Sequence, residues 1–111
     1  MVAVICLRFE NEISIDSLLE DLSRIVSYPI DSDQVLQNLQ HLRRAGLISI
    51  DWHRRMIKRE KPMKEYVTTR VMTNEMWPTI MEDWLRISKA VQDTYGKANM
   101  EYQELLTPRQ R

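Results

Sequence analysis

Leu18, Leu19, Leu22, Ile25 and Val26 recur at helical spacing within ISIDSLLEDLSRIV, so they share one face of a predicted helix. Ser14 or Asp16 can cap its start by accepting a bond from a free backbone N–H. SYPI then ends it, because Pro29 has no N–H and pushes Tyr28 away from helical angles. Asp31 and Ser32 are natural caps for the next helix. Val35, Leu36, Leu39 and Leu42 form its apolar stripe, and Gly46 supplies the stop. Asp33, Gln34, Gln37, Asn38, His41 and Arg44 fall away from that stripe. LISIDW then alternates as a half-buried strand with Ile48, Ile50 and Trp52 on one face, and β-branched YVTTRV reads as its return. Between them HRRMIKREKPMKE, centred on Pro62, makes the charged tip of a hairpin. From Thr73 the period is again 3.6 residues, with Trp77, Ile80, Met81, Trp84, Leu85, Ser88, Val91 and Tyr95 along a broad stripe that ends at Gly96. Pro78 belongs in the first turn of that helix. KANMEYQELL suits a further short helix and TPRQR a frayed tail, while VAVICLRF fits either a strand or a buried first helix.

Composition narrows the class. A chain of 111 residues, 43% hydrophobic and 29% charged, suits one globular domain, and two glycines and four prolines point to a helix-rich fold. No apolar run approaches the ~20 residues of a membrane span. MVAVICLRF has neither the basic flank nor the small-residue cleavage site of a signal peptide. The single cysteine, Cys6, cannot form an internal disulfide and suits a reducing compartment, so the expected location is cytoplasmic.

Net charge is zero, but its distribution is uneven. Residues 1–40 carry two basic against seven acidic side chains, a net of −5; residues 41–70 carry nine against three, a net of +6; residues 71–111 carry five against six. A phosphate backbone responds to the local field within a Debye length of ~8–10 Å, so the middle segment is the part that matters to it.

The order of helices, basic hairpin and long helix is the layout of a winged helix-turn-helix: a mostly α (α+β) fold with a two-stranded wing and a long C-terminal dimerisation helix. In that layout the 32–45 helix reads operator DNA and the 53–64 wing anchors phosphates. Gln34, Gln37 and Asn38 can offer a paired donor and acceptor to adenine, and His41 lies on the same face. Arg44, Arg54, Arg55, Lys58, Arg59, Lys61 and Lys64 supply the salt-sensitive contacts to phosphate. His41 and His53 have no cysteine or carboxylate partners at ligand spacing, so no metal is expected. There is no glycine-rich phosphate loop and no nucleophile–base pair, so the expectation is a non-enzyme without a cofactor.

QVLQNLQHLRRAGLI resembles the recognition helix and turn of PadR-type transcriptional regulators, in its leucine spacing and closing GLI. MEDWLRISKAVQDTYG resembles the C-terminal helix of that family. The resemblance implies a first helix over VAVICLRF, a homodimer and repression from a pseudo-palindromic operator. It further implies a dimer seam at Trp77, Ile80, Met81, Trp84, Leu85 and Val91, and places residues 1–73 in the DNA-binding domain, 74–96 in the dimerisation helix and 97–111 in a short tail. Some such regulators hold a flat aromatic effector between facing tryptophans, which makes Trp77 and Trp84 candidates for that role. The chain departs from the family pattern at Asp33, at Leu36 and in TNEMWP. Two other uses of the same fold are a protein–protein adaptor whose hairpin docks an acidic partner, and a DNA-coating segregation or phage protein.

Overall fold

The computed structural model describes residues 1–26 and 30–106. The expected break at Tyr28–Pro29 and the tail at 107–111 lie outside them. Within the described residues the fold is mixed α/β, with six α-helices and a small antiparallel sheet.

VAVICL is helix α1 (Val2–Leu7), and Ala3 to Leu7 are all buried. A helix apolar on every side has to be enclosed on every side. α1 packs against α2 (Ile15–Arg24), α5 (Trp77–Tyr95) and α6 (Met100–Leu106). One core cluster therefore runs from Ala3 to Leu106. At its centre the Cys6 thiol is fully buried, and burial pushes its pKa up to about 12. The native protein should leave Cys6 unmodified by a disulfide reagent over a period in which the urea-unfolded chain reacts completely. Equal rates in the two states would contradict this enclosure.

The caps follow local chemistry. Ser14 Oγ accepts from the Ser17 N–H at 2.9 Å at the start of α2, and Asp31 Oδ1 accepts from the Asp33 N–H at 3.0 Å at the start of α3 (Ser32–Arg44). α3 ends in a Schellman turn. Gly46, at φ +77°, donates to the Arg43 carbonyl, Leu47 donates to that of Leu42, and both leucines are buried.

That turn leads directly into β2 (Ile48–Asp51), and β3 (Met56–Arg59) returns after the turn Trp52–Arg55. The hairpin thus closes sooner than its sequence suggests, and Trp52 lies in its exposed turn rather than in the strand. A third strand, β1 (Glu12–Ser14), pairs with β3 on the other side, giving the order β1-β3-β2. The expected two-stranded unit is therefore a three-stranded sheet with β3 at its centre. Both edges of β3 are occupied, so YVTTRV has no place beside it.

YVTTRV is helical instead. Pro62 opens α4 (Pro62–Tyr66), which continues into a π-helical turn, Val67–Val71, closed by the Met72 N–H on the Val67 carbonyl at 2.8 Å. The threonines fit because their hydroxyls donate backwards: Thr68 to the Lys64 carbonyl at 3.1 Å and Thr69 to that of Glu65 at 2.6 Å. α5 begins at Trp77, later than Thr73, with Pro78 in its first turn, and ends at Gly96, whose φ is +84°.

Candidate functional site

α3 buries Val35, Leu39 and Leu42, and its opposite face is polar. Asp33, Gln34, Gln37, His41 and Arg44 are exposed there, with Asn38 half-buried at the margin. Their polar groups are little engaged. Gln34 Nε2 donates to Asn38 Oδ1 at 3.5 Å, a long bond between exposed amides. The base-reading candidates Gln34, Gln37, Asn38 and His41 therefore share one surface, with Arg44 one turn beyond His41.

The basic residues expected to act together go to three destinations. Arg54 and Arg55 sit at the hairpin tip but face carboxylates. Arg54 pairs with Glu12 at 3.2 Å and Asp51 at 3.9 Å, and Arg55 pairs with Asp16 at 3.0 Å. Both arginine side chains are more than half exposed, so each pair contributes no more than ~1 kcal/mol and can exchange for another anion. Arg55 adopts φ +56°, and its carbonyl accepts from the Ile15 N–H at 2.9 Å, which holds the tip against the start of α2.

Lys58, Lys61 and Lys64 lie at the far end of β3 and on α4, exposed and without an ion pair among the described residues. Arg59 turns inward. Strand alternation places it on the same face as Ile57, where its guanidinium donates to the carbonyls of Ile5 (2.6 Å), Arg8 (3.0 Å) and Glu10 (2.8 Å). Its expected role on phosphate is corrected: it satisfies carbonyls at the C-terminal end of α1 and in the loop beyond.

The expected seam on α5 divides in a similar way. Trp84 and Val91 belong to the chain's own core, so within one chain they are already covered. Trp77, Ile80 and Met81 are half-buried and Leu85 is 44% exposed. Trp77 and Trp84 meet edge-on, with centroids 6.2 Å apart and planes at 67°. Two parallel walls for a flat ligand are not formed by this pair.

A buried polar cluster centred on Arg8 and Asp21 lies outside the residues that the sequence pattern singles out. Arg8 Nη1 donates to Asp21 Oδ2 at 2.7 Å, to Ser17 Oγ at 2.8 Å and to the Tyr95 hydroxyl at 3.2 Å, with the guanidinium carbon 4.0 Å from the Tyr95 ring centroid. Tyr95 donates to the other Asp21 oxygen, and Glu10 pairs with Arg8. Burial opposes the charge on Arg8, but its bonds to Glu10 and Asp21 outweigh that effect and raise its pKa. Burial likewise pushes Glu10 upwards, and Arg8 more than reverses this, leaving the carboxyl below its ordinary range. Burial, together with the bond to Asp21, raises Tyr95. The sequence did hold a signal: Asp21 falls on the same helical face as Leu18, Leu22 and Ile25, where a carboxylate requires a buried partner.

Among the described residues no three His, Cys, Asp or Glu side chains form a metal cluster, and no helix is long and apolar enough to cross a membrane. No protein-family model, curated protein or solved structure matches the chain.

Proposed function

We propose that this chain is a winged helix-turn-helix regulator of the PadR-like kind, a homodimer that reads operator DNA and represses transcription. The observation that carries the reading is the outer face of α3: two glutamines, a histidine and an arginine exposed on one surface, with an asparagine half-buried at its margin, backed by an apolar face fixed in the core. Gln34, Gln37, Asn38 and His41 would meet base edges. Arg44, with Arg54 and Arg55 released from their exposed carboxylate pairs, would meet phosphates. The Schellman turn joins α3 to β2 through only three residues, Ala45, Gly46 and Leu47, which suits two elements that must contact one duplex together. The half-exposed residues of α5, Trp77, Ile80, Met81 and Leu85, would form the seam with a second copy.

Selection of bound duplexes from a random library, followed by mobility shift across a salt series, tests this. A preferred site should emerge, with affinity falling steeply as salt rises. Changing Gln34 and Asn38 together to alanine should remove the preference, by about tenfold or more at the affected base pairs, while weaker non-specific binding remains. No binding to any duplex, or binding indifferent to salt, would sink the reading.

One observation favours a second reading, the protein–protein adaptor. Glu12, Asp16 and Asp51 already neutralise the tip arginines, which weakens the field a distant phosphate would feel. An adaptor would keep its partner after the Gln34 and Asn38 substitutions, whereas a reader of DNA would lose its preferred site.

A further inference from the structure

At the end of β3 away from the hairpin tip lies an open groove of about 480 Å³, bordered by Phe9, Asn11, Lys58, Lys61, Lys64 and Asn99. Its volume falls within the range of small-molecule sites. It is separate from the outer face of α3, and none of the residues assigned to base reading borders it.

Three features give it a chemistry. Lys58, Lys61 and Lys64 come from a strand, the residue before a helix and the helix itself, and all three ammonium groups are free of carboxylate partners among the described residues, unlike the hairpin arginines. Glu60 and Glu101 also border the groove, so the lysines leave it positive without making it uniformly so. Phe9 is 39% exposed, a large ring left in solvent beside these charges, with the Lys97 ammonium 4.2 Å from its centroid. An exposed ammonium on a flexible stem exchanges readily with another group over the ring. The side-chain amide of Asn11 supplies a donor and an acceptor along the same wall, and that of Asn99 a donor, its Oδ1 already accepting from the Glu101 N–H at 3.0 Å.

Lysines for phosphate, an accessible aromatic face for stacking and amides for polar edges together match a base joined to phosphate. The geometry points to a second binding site, for a nucleotide: phosphates on Lys58, Lys61 and Lys64, base on Phe9. A nucleoside triphosphate and a segment of single strand present this same chemistry. The inference does not rest on the reading of α3, and the variants below separate the two.

The test titrates the intact chain in low salt with fluorescent anthraniloyl derivatives of ATP and GTP and, separately, with a fluorescein-labelled oligothymidine strand. Saturable binding of at least one probe is expected, and the tighter probe identifies the source. Phe9→Ala should weaken it about tenfold. Changing Lys58, Lys61 and Lys64 together to alanine should weaken it further and flatten its salt dependence. The Gln34→Ala, Asn38→Ala double variant should bind the probe as the parent does. Absence of saturable binding overturns the proposal, as does loss of binding in that double variant. Displacement by inorganic tripolyphosphate as effective as by nucleotide, with Phe9→Ala silent, would reduce the site to a bare anion site and overturn it. Equal displacement by an oligoglutamate peptide would mark an acidic-peptide groove and overturn it as well.

Discussion

Replacing Asp21 by alanine should lower the unfolding free energy by about 3–5 kcal/mol, as removal of one partner from a buried charge pair does. Asp21 is fully buried, and both of its oxygens are used, one by Arg8 and one by Tyr95. Without it, Arg8, itself 5% exposed, keeps only Glu10 as a carboxylate partner among the described residues. Folded domains have about 5–15 kcal/mol in total, so roughly a fifth of the stability at the least, and most of it in a marginal domain, would go. Urea denaturation of the variant beside the parent measures it. Asp21→Asn, which keeps the shape and one acceptor, should lose less, and a midpoint unchanged by Asp21→Ala would refute the structural role.

The same cluster sets a pH dependence. The folded pKa of Glu10 lies below the ordinary value of 4.5. Its stabilisation is therefore complete above that value and disappears as pH falls through the folded pKa. Urea midpoints taken from neutral pH down to pH ~3 should fall more steeply for the parent than for Glu10→Gln. Parallel curves would remove Glu10 from the account.

The second large effect is at Arg59. Arg59→Ala should destabilise the fold by about 2–4 kcal/mol, because three carbonyls near the end of α1 lose a charged donor and are left under-satisfied. Arg59→Lys should recover part of this, since an ammonium can reach some of the carbonyls but lacks the planar fork that reaches all three. Arg44→Ala, on an exposed side chain, should stay within ~0.5 kcal/mol of the parent. A denaturation series over the three variants checks the order, and equal stability of Arg59→Ala and Arg44→Ala would return Arg59 to the surface.

Arg59 also marks how far the sequence could be read. α2, α3 and α5 were legible because their apolar residues repeat with the helical period over two turns or more and their ends carry cap residues or glycine. β1 was not, because three residues leading straight into a capped helix show no alternation of their own. Val67–Val71 departs from its sequence signal for the opposite reason. Its β-branched composition favours a strand, but whether a strand forms depends on a free edge, and β1 had taken the one beside β3. The charge profile located the basic segment but counted each residue alike. Where each cation points is set by strand register: with β3 at 56–59, Ile57 and Arg59 face inward together while Lys58 faces out. The face of α3 was legible residue by residue from its stripe. The groove beside Phe9 was not, since it gathers residues from the loop after α1, the end of β3, α4 and the start of α6.

The enclosure of α1 has a consequence during synthesis. VAVICL precedes every other described element, yet its packing partners include α5 and α6, at residues 77–106. At translation rates of about 5–20 residues per second, the hexapeptide waits on the order of 5–20 s before the helices that cover it exist. The most apolar segment of the nascent chain is therefore the last to be sheltered. Until α6 emerges it presents the kind of surface on which chaperones and aggregation compete.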